Sequence, residues 1–592
     1  MAVSETAKRV RADRQWWKEA VVYQIYPKSF FDSDGDGIGD LAGITEKVDY
    51  LDALGVDAVW LCPVYDSPQA DNGYDISDYR SIFDTYGDLA DWERLLSELH
   101  DRDIRLVMDL VVNHTSSEHE WFQRSRRGEG EYADYYHWRD GRPAAEADYD
   151  TDDGPADEVA PNNWESIFGG PAWAYDEERE QWYLHLFDES QPDLNWEHEA
   201  VREDVYEMMG WWLDRGIDGF RMDVINLVSK TPGLPDGDPD GGLVGAEHFM
   251  NGPKVHDYLS ELVAEAIPDD DILTVGETPG ASVEDAQRFV GEDGLSMVFQ
   301  FEHVNVGHEG DKWSLEDYSL VELKESLARW QNGLADEGWN SLYLSNHDQP
   351  RTVSRFGDDG QYRDRSAKLL GTLLYTLQGT PFVYQGQEIG MTNAPFESKS
   401  ELRDVESINF VEEAIESGTA ESYEDVRDAV ETVGRDNART PMQWSDDENA
   451  GFTDGEPWLK VNPNYDAINV EQARADPDSV WHYYRELGDL RADRDLLVYG
   501  TFDLLAPDDE QVFAYTRTLA DERALVVLNV SAQAATFAVP DDAGDGLELA
   551  IANVNAPETP GSTVELDPYE ARVYLTPADS TDRPTTTNSD ST

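Results

Sequence analysis

The sequence predicts an α/β protein: a (β/α)8 TIM barrel with a subdomain inserted after its third strand and a C-terminal antiparallel β-sandwich domain. Three observations predict it. Eight short apolar runs alternate with stretches of helical periodicity. Ionisable residues collect just after those runs, where barrels of this kind carry their chemistry. Beyond residue 500 the pattern changes to period-2 alternation, the signature of half-buried antiparallel strands.

The predicted strands are "AVVYQIY" at 20–26, "DAVWLC" at 57–62, "IRLVMDLVV" at 104–112 and "IDGFRM" at 217–222. They continue with "ILTVGE" at 272–277, "SMVFQF" at 296–301, "SLYLS" at 341–345 and "PFVYQG" at 381–386. Helical stretches between them include "AGITEKVDYLDALG", "ADWERLLSELHDRD", "HEAVREDVYEMMGWWLDRG" and "RSAKLLGTLLYTLQG". These runs divide the chain into a first barrel part at 1–112, an inserted domain at 113–190 and a second barrel part at 191–500. A further insertion follows the eighth strand at about 391–445. "QVFAYTRTL", "RALVVLNV" and "ARVYLTP" mark a small β domain over 501–577, and the polar residues 578–592 are expected to be disordered.

At 592 residues the chain is too long for one simple core, and 18 Trp, 28 Tyr and 19 Phe supply ample core material. Its formal net charge of -79 repels nucleic acid and anionic membranes, so neither is expected as a partner. The acid is spread along the whole chain, which suggests a halophilic protein of a salt-rich cytoplasm, where screening tames self-repulsion. The single cysteine, Cys62, allows no disulfide within the chain and suits a cytoplasmic location. No secretory h-region and no run of 18 apolar residues is visible.

"GIDGFRMDVIN" at 216–226 places a carboxylate inside an apolar strand. Burying Asp223 is costly unless it is compensated. Arg221, two residues away on the same strand face, offers an ion pair. That stretch alone leaves a structural and a functional reading open. Other strand ends add His114, Glu277, His347 and Asp348.

"DLVVNHT", "GFRMDV", "VGE" and "SNHDQPR", in that order, resemble the four signature regions of the α-amylase superfamily, glycoside hydrolase family 13. "GVDAVWLCPVY" and "GTPFVYQGQEIGM" resemble two further regions, and "QPDLNW" at 191–196 resembles the signature of the oligo-1,6-glucosidase subfamily. The resemblance implies a catalytic triad: Asp223 as nucleophile, Glu277 as acid/base and Asp348 as the third carboxylate, which steadies the oxocarbenium-like transition state. It implies that Arg221 keeps Asp223 ionised, and that His114 and His347 bind hydroxyls of the same sugar ring. Asp71, Tyr74 and Arg439, with Arg435 close by, match contacts to the terminal glucose. Phe168 and Phe187 resemble aromatic walls of that pocket. Val224 matches a position where valine accompanies α-1,6 specificity.

The implied activity is that of a retaining, exo-acting α-glucosidase on short oligosaccharides or disaccharides, with α-1,6 or α-1,4 linkages. A glucosyl transferase or isomerase, such as a trehalose synthase or sucrose isomerase, is the alternative. A non-catalytic, transporter-associated relative fits poorly with a full triad and no membrane span.

"DSDGDGIGD" at 32–40 resembles the front of a calcium loop. Asp32, Asp34, Asp36, the Ile38 carbonyl and Asp40 fall at alternating positions, with Gly37 for the sharp turn. Gly43 stands where an EF-hand has its bidentate Glu. The subfamily carries a similar loop, so a structural Ca2+ or Mg2+ is expected. No organic cofactor is expected, and the oligomeric state is left open.

Overall fold

The computed structural model describes residues 14–577 apart from 148, 150–153, 269–270, 292, 309, 311 and 315–317. The tail at 578–592 lies outside the described residues. Eight parallel strands form one sheet: β1 (Val22–Ile25), β2 (Ala58–Leu61), β3 (Arg105–Val111), β4 (Gly219–Asp223), β5 (Leu273–Glu277), β6 (Met297–Phe299), β7 (Ser341–Leu342) and β8 (Thr380–Tyr384). Their order is β6-β5-β4-β3-β2-β1-β8-β7. A parallel bridge between Val298 and Asn340 joins β6 to β7 and closes the barrel.

Strand periodicity sorts the side chains into two cores. Val22, Trp60, Val107, Leu273, Val275, Met297, Phe299 and Phe382 pack together inside the barrel. Tyr23, Leu61, Met108, Phe220 and Met222 belong to the larger core shared with the surrounding helices. Arg221 and Asp223 have the opposite parity to Phe220 and Met222, and Glu277 shares the parity of Leu273 and Val275. The pleat therefore turns all three into the barrel, towards its C-terminal rim.

Two expected elements differ. The helix predicted between β1 and β2 is two helices, Leu41–Glu46 and Val48–Leu54. The break is at Lys47, whose φ of -101 and ψ of 4 leave the helical region. The seventh strand stops at Leu342 rather than 345. Beyond it the Tyr343 carbonyl accepts from His303 Nε2 at 2.7 Å, so a side chain takes the place of a ladder partner.

After β3 the chain builds a three-stranded antiparallel sheet from Trp138–Arg139, Trp173–Asp176 and Gln181–Leu184. Trp164, Trp173, Trp182, Leu184 and Phe249 fill a separate small core there. At the C-terminus a five-stranded antiparallel sheet (501–505, 512–519, 522–529, 571–575, 548–552) faces a two-stranded one (535–538, 563–566). Val512, Leu525, Val527, Phe537, Val564 and Tyr574 pack between them, the sandwich that the period-2 pattern predicts. Among the described residues no helix is long and apolar enough to cross a membrane.

The helix Glu199–Leu213 locks onto the barrel through Trp212, whose indole Nε1 donates to the Tyr79 carbonyl at 3.0 Å. The same ring meets Trp92 edge-on, with centroids 4.9 Å apart. Trp212→Ala removes a fully buried ring and leaves that carbonyl unpaired. It should lower barrel stability by about 3–5 kcal/mol, read as a fall in the urea midpoint.

Candidate active site

Arg221 is fully buried and touches three carboxylates. Its Nη1 lies 3.0 Å from Asp109 Oδ1 and 2.6 Å from Asp223 Oδ1, and its Nη2 lies 2.5 Å from Glu277 Oε1. Asp109 sits on β3, in register with Arg221 on β4, and β5 delivers Glu277 from the other side. One guanidinium among three carboxylates cannot neutralise them all, so protons must be shared. Burial pushes Asp109 up to about 6 and Asp223 up to about 7, with Arg221 opposing in both cases. Burial also pushes Glu277 up to about 8, against Arg221 and helped by the Asp223 charge. Arg221 lowers Asp223, as expected of the cation that keeps it ionised, but desolvation outweighs it.

Asp348 is the opposite case. Burial would raise it, but His347, Arg435 and Arg439 hold it well below the usual carboxylate range. Arg439 Nη2 lies 2.7 Å from its Oδ1, and Arg435 Nη1 lies 3.4 Å away. His347 Nε2 is 3.2 Å from Asp348 Oδ2, and its Nδ1 is 2.9 Å from Gln24 Nε2. Burial lowers His347 to about 3 and His114 to about 4, so both rings are neutral.

Asp71 and Tyr74 come to the same place. The Tyr74 hydroxyl donates to Asp109 Oδ2 at 3.1 Å, and its ring stacks on His347 with centroids 5.1 Å apart. Asp71 Oδ1 pairs with Arg435 at 3.2 Å. Arg439, the arginine expected beside the terminal sugar, pairs with Asp348. Arg435 also binds Asp404 at 2.6 Å and Glu406 at 3.3 Å. Phe168 lies under the Arg435 guanidinium at 4.7 Å, Phe187 packs 5.0 Å from the His114 ring, and the two Phe rings meet edge-on. A cavity of about 290 Å³ opens beside them, lined by Ser166, Phe168, Trp173, His185, Phe187 and Asn409 among others.

The "QPDLNW" motif is a brace. Gln191 Nε2 donates to Asp71 Oδ2 at 3.2 Å and lies equally far from His114 Nε2. Asp193 accepts from the buried Lys230 ammonium at 2.6 Å, and Lys230 also donates to Asn113 Oδ1 at 2.9 Å.

Sequence reasoning missed Asp109, Gln24, Asp404 and Trp60, whose indole Nε1 donates to Asp109 Oδ2 at 3.0 Å. Asp109 had a signal, since it is a lone carboxylate inside the apolar run "IRLVMDLVV", the same anomaly that singled out Asp223. Asp404 had none. It caps the helix Val405–Glu416, far along the chain, and only the fold brings it to Arg435.

Among the expected metal ligands, the carboxylate oxygens of Asp32, Asp34 and Asp40 lie within 4.8 Å of one another. Asp36 falls outside that trio, and its Oδ1 accepts from the Ile38 amide at 2.8 Å. The loop is pinned from behind: a Cβ on Gly37 would stand 1.9 Å from the Glu456 carbonyl, and its φ of +95 also demands glycine. An all-oxygen donor set of converging carboxylates suits a hard cation.

The Alpha amylase, catalytic domain model matches residues 24–500, and the Maltogenic Amylase, C-terminal domain model matches 502–573. The chain belongs to the α-amylase family. It is a glycoside hydrolase. It is 53% identical to an oligo-1,6-glucosidase of Parageobacillus thermoglucosidasius over 95% of this chain and 99% of that one. It is 46% identical to the trehalose-6-phosphate hydrolase of Bacillus subtilis over 94% and 98% of the two chains. Among solved structures, a trehalulose synthase from Pseudomonas mesoacidophila superposes with a TM-score of 0.89 at 41% identity, covering 95% of this chain and 99% of that one.

In this glycoside hydrolase Asp109 is a tuning group. Asp109→Asn removes a negative neighbour of Asp223, so ionising Asp223 becomes easier. The acid limb of the pH profile of kcat/KM should move down by about half a unit or more. Both Asp109 oxygens accept from donors, so the amide also misplaces an NH2 group. The variant should lose about 1–3 kcal/mol of stability.

Proposed function

We propose that the protein is an exo-acting α-glucosidase that releases terminal α-linked glucose from short oligosaccharides or disaccharides with retention of configuration. The observation that carries this is the pair Asp223 and Glu277, delivered by adjacent strands onto adjacent nitrogens of Arg221. Such close seating supports the short spacing, about 5 Å, that retaining pairs use, without room for the water an inverting pair holds between its carboxyls.

Ionised Asp223 attacks the anomeric carbon with the oxygen that Arg221 does not hold. Glu277, protonated, gives its proton to the glycosidic oxygen as the carbon–oxygen bond breaks, and the aglycone leaves. The product is a glycosyl ester on Asp223. Glu277, now a carboxylate, takes a proton from water as the water attacks the same carbon, which frees Asp223 and yields α-glucose. Asp348, held ionised, faces the positive charge that develops on the ring. The neutral imidazoles of His114 and His347 bind hydroxyls, and Asp71 with Arg435 and Arg439 closes the end of the pocket. That closed end favours a chain terminus over an internal linkage. Val224, whose side chain packs with Phe168 and Phe187, supports a preference for α-1,6 linkages. The near-full-length similarity to oligo-1,6-glucosidases points the same way.

Asp32, Asp34 and Asp40, with the Ile38 carbonyl, would hold a structural Ca2+ or Mg2+, which would neutralise the loop's like charges. The net charge of -79 supports a halophilic protein working in a salt-rich cytoplasm.

Asp223→Asn and Glu277→Gln should each cut turnover of isomaltose by about 10²–10⁴-fold, and NMR of early product should show α-glucose. β-Glucose as first product, or free turnover in either variant, overturns the reading. A new disaccharide in place of glucose would mark an isomerase. In a panel of isomaltose and maltose, Val224→Ala should shift preference toward maltose.

Melting temperature should rise as KCl is added up to molar concentration. Unfolding free energy should fall on chelation and recover with Ca2+ or Mg2+, by about 2–3 kcal/mol at a hundredfold excess over Kd, and Asp32→Asn should abolish that recovery.

A further inference from the structure

Val224 has φ 34 and ψ 40. Among the described non-glycine residues with positive φ it is the one with a β-branched side chain, for which that region is a genuine outlier. It follows the nucleophile directly, at the point where β4 ends and a 3-10 turn, Ile225–Leu227, begins. The left-handed turn takes the Val224 N–H out of strand geometry and sets it 3.1 Å from Glu277 Oε2.

The surroundings hold it there. The Val224 carbonyl accepts from the Leu227 amide at 2.9 Å. Asn226 Nδ2 donates to Asn251 Oδ1 at 3.0 Å and to the Pro279 carbonyl at 2.8 Å, which ties the turn after the nucleophile to the segment after Glu277. The side chain is 8% exposed. Each oxygen of Glu277 thus meets a donor from β4 or its turn: Oε1 meets Arg221 and Oε2 meets the Val224 amide.

We infer that Val224 is a positioning residue for the acid/base. Its strained backbone aims its amide at Glu277 and locks the orientation of that carboxyl to the strand that carries the nucleophile. This rests on the reading of Glu277 as acid/base. The amide also favours the ionised form of Glu277, the form needed when water attacks the glycosyl ester, and so works against the desolvation that favours the proton. Residue 224 therefore acts through its main chain as well as through the side chain that packs with Phe168 and Phe187.

Replacing Val224 by its α-hydroxy acid turns the amide into an ester and deletes only the N–H. The alkaline limb of kcat/KM on isomaltose should then move to higher pH by half a unit or more. kcat/KM on isomaltose should fall tenfold or more beyond any fall on 2,4-dinitrophenyl α-glucoside, whose leaving group needs no proton. Val224→Gly keeps the N–H and takes the left-handed conformation freely, so its alkaline limb should stay in place. Equal losses on both substrates with an unmoved limb, or the ester's signature in Val224→Gly, overturn the inference.

In the native protein the Val224 amide resonance should titrate with the alkaline limb and lose that titration in Glu277→Gln. A flat amide shift overturns the inference even where the ester variant does not fold. Glu277→Gln assayed on the same two substrates separates the failures. If it does not discriminate between them, the acid/base reading has failed; if it does and the ester variant does not, only the role of Val224 has.

Discussion

A single buried guanidinium organises the reaction centre. Among the described residues Arg221 is the one cation that pairs with Asp109, Asp223 and Glu277, and the barrel interior around it is lined by Trp60, Val107, Val275 and Phe299. In such surroundings three full negative charges beside one positive charge are untenable. The cluster must hold protons, and that is the condition for general acid catalysis. A more cationic centre would ionise Glu277 and remove its proton. A centre without Arg221 would favour the protonated form of Asp223. The strand geometry places the guanidinium between these outcomes, because β3, β4 and β5 are neighbours in register and each contributes one inward carboxylate.

A second charge network lies beside Phe168 and His347 and differs in its cations. Asp348, Asp404, Asp71 and Glu406 surround Arg435 and Arg439, so two cations stand among four carboxylates and each carboxylate touches at least one of them. Asp348 stays ionised because it has cationic partners of its own. Arginine partners thus hold Asp348 and Asp404 ionised, whereas burial lifts Asp71 in the same network to about 7. Asp404 and Glu406 begin a helix in the segment after β8, and Phe168 under Arg435 comes from the segment after β3. The pocket end is therefore assembled from parts of the chain that have no local relation.

The comparison between sequence and structure is sharpest at individual positions. Asp223 and Arg221 were legible because a carboxylate and a cation in an apolar strand violate the local pattern, and the pleat then forces both to one face. Period-2 parity also accounts for Glu277 entering the barrel. Asp109 carried the same signal in a neighbouring run. The Arg435 pairing with Asp71 was not legible, since "GRDNARTPMQW" supplies two arginines four residues apart and only packing decides which one meets Asp71 and which makes the shorter contact with Asp348. The seventh strand was overestimated because a side-chain hydrogen bond from His303, remote in sequence, ends the ladder early.

By itself the sequence determined the (β/α)8 architecture, the C-terminal β domain and the ionisable groups at the strand ends, because hydrophobic periodicity and strand parity act over a few residues. Tertiary structure decided which carboxylate meets which cation, how far burial lifts Asp223 and Glu277, and where the Val224 amide points. Those quantities depend on distances between segments 50 to more than 300 residues apart, and on the exclusion of water, neither of which a local pattern encodes.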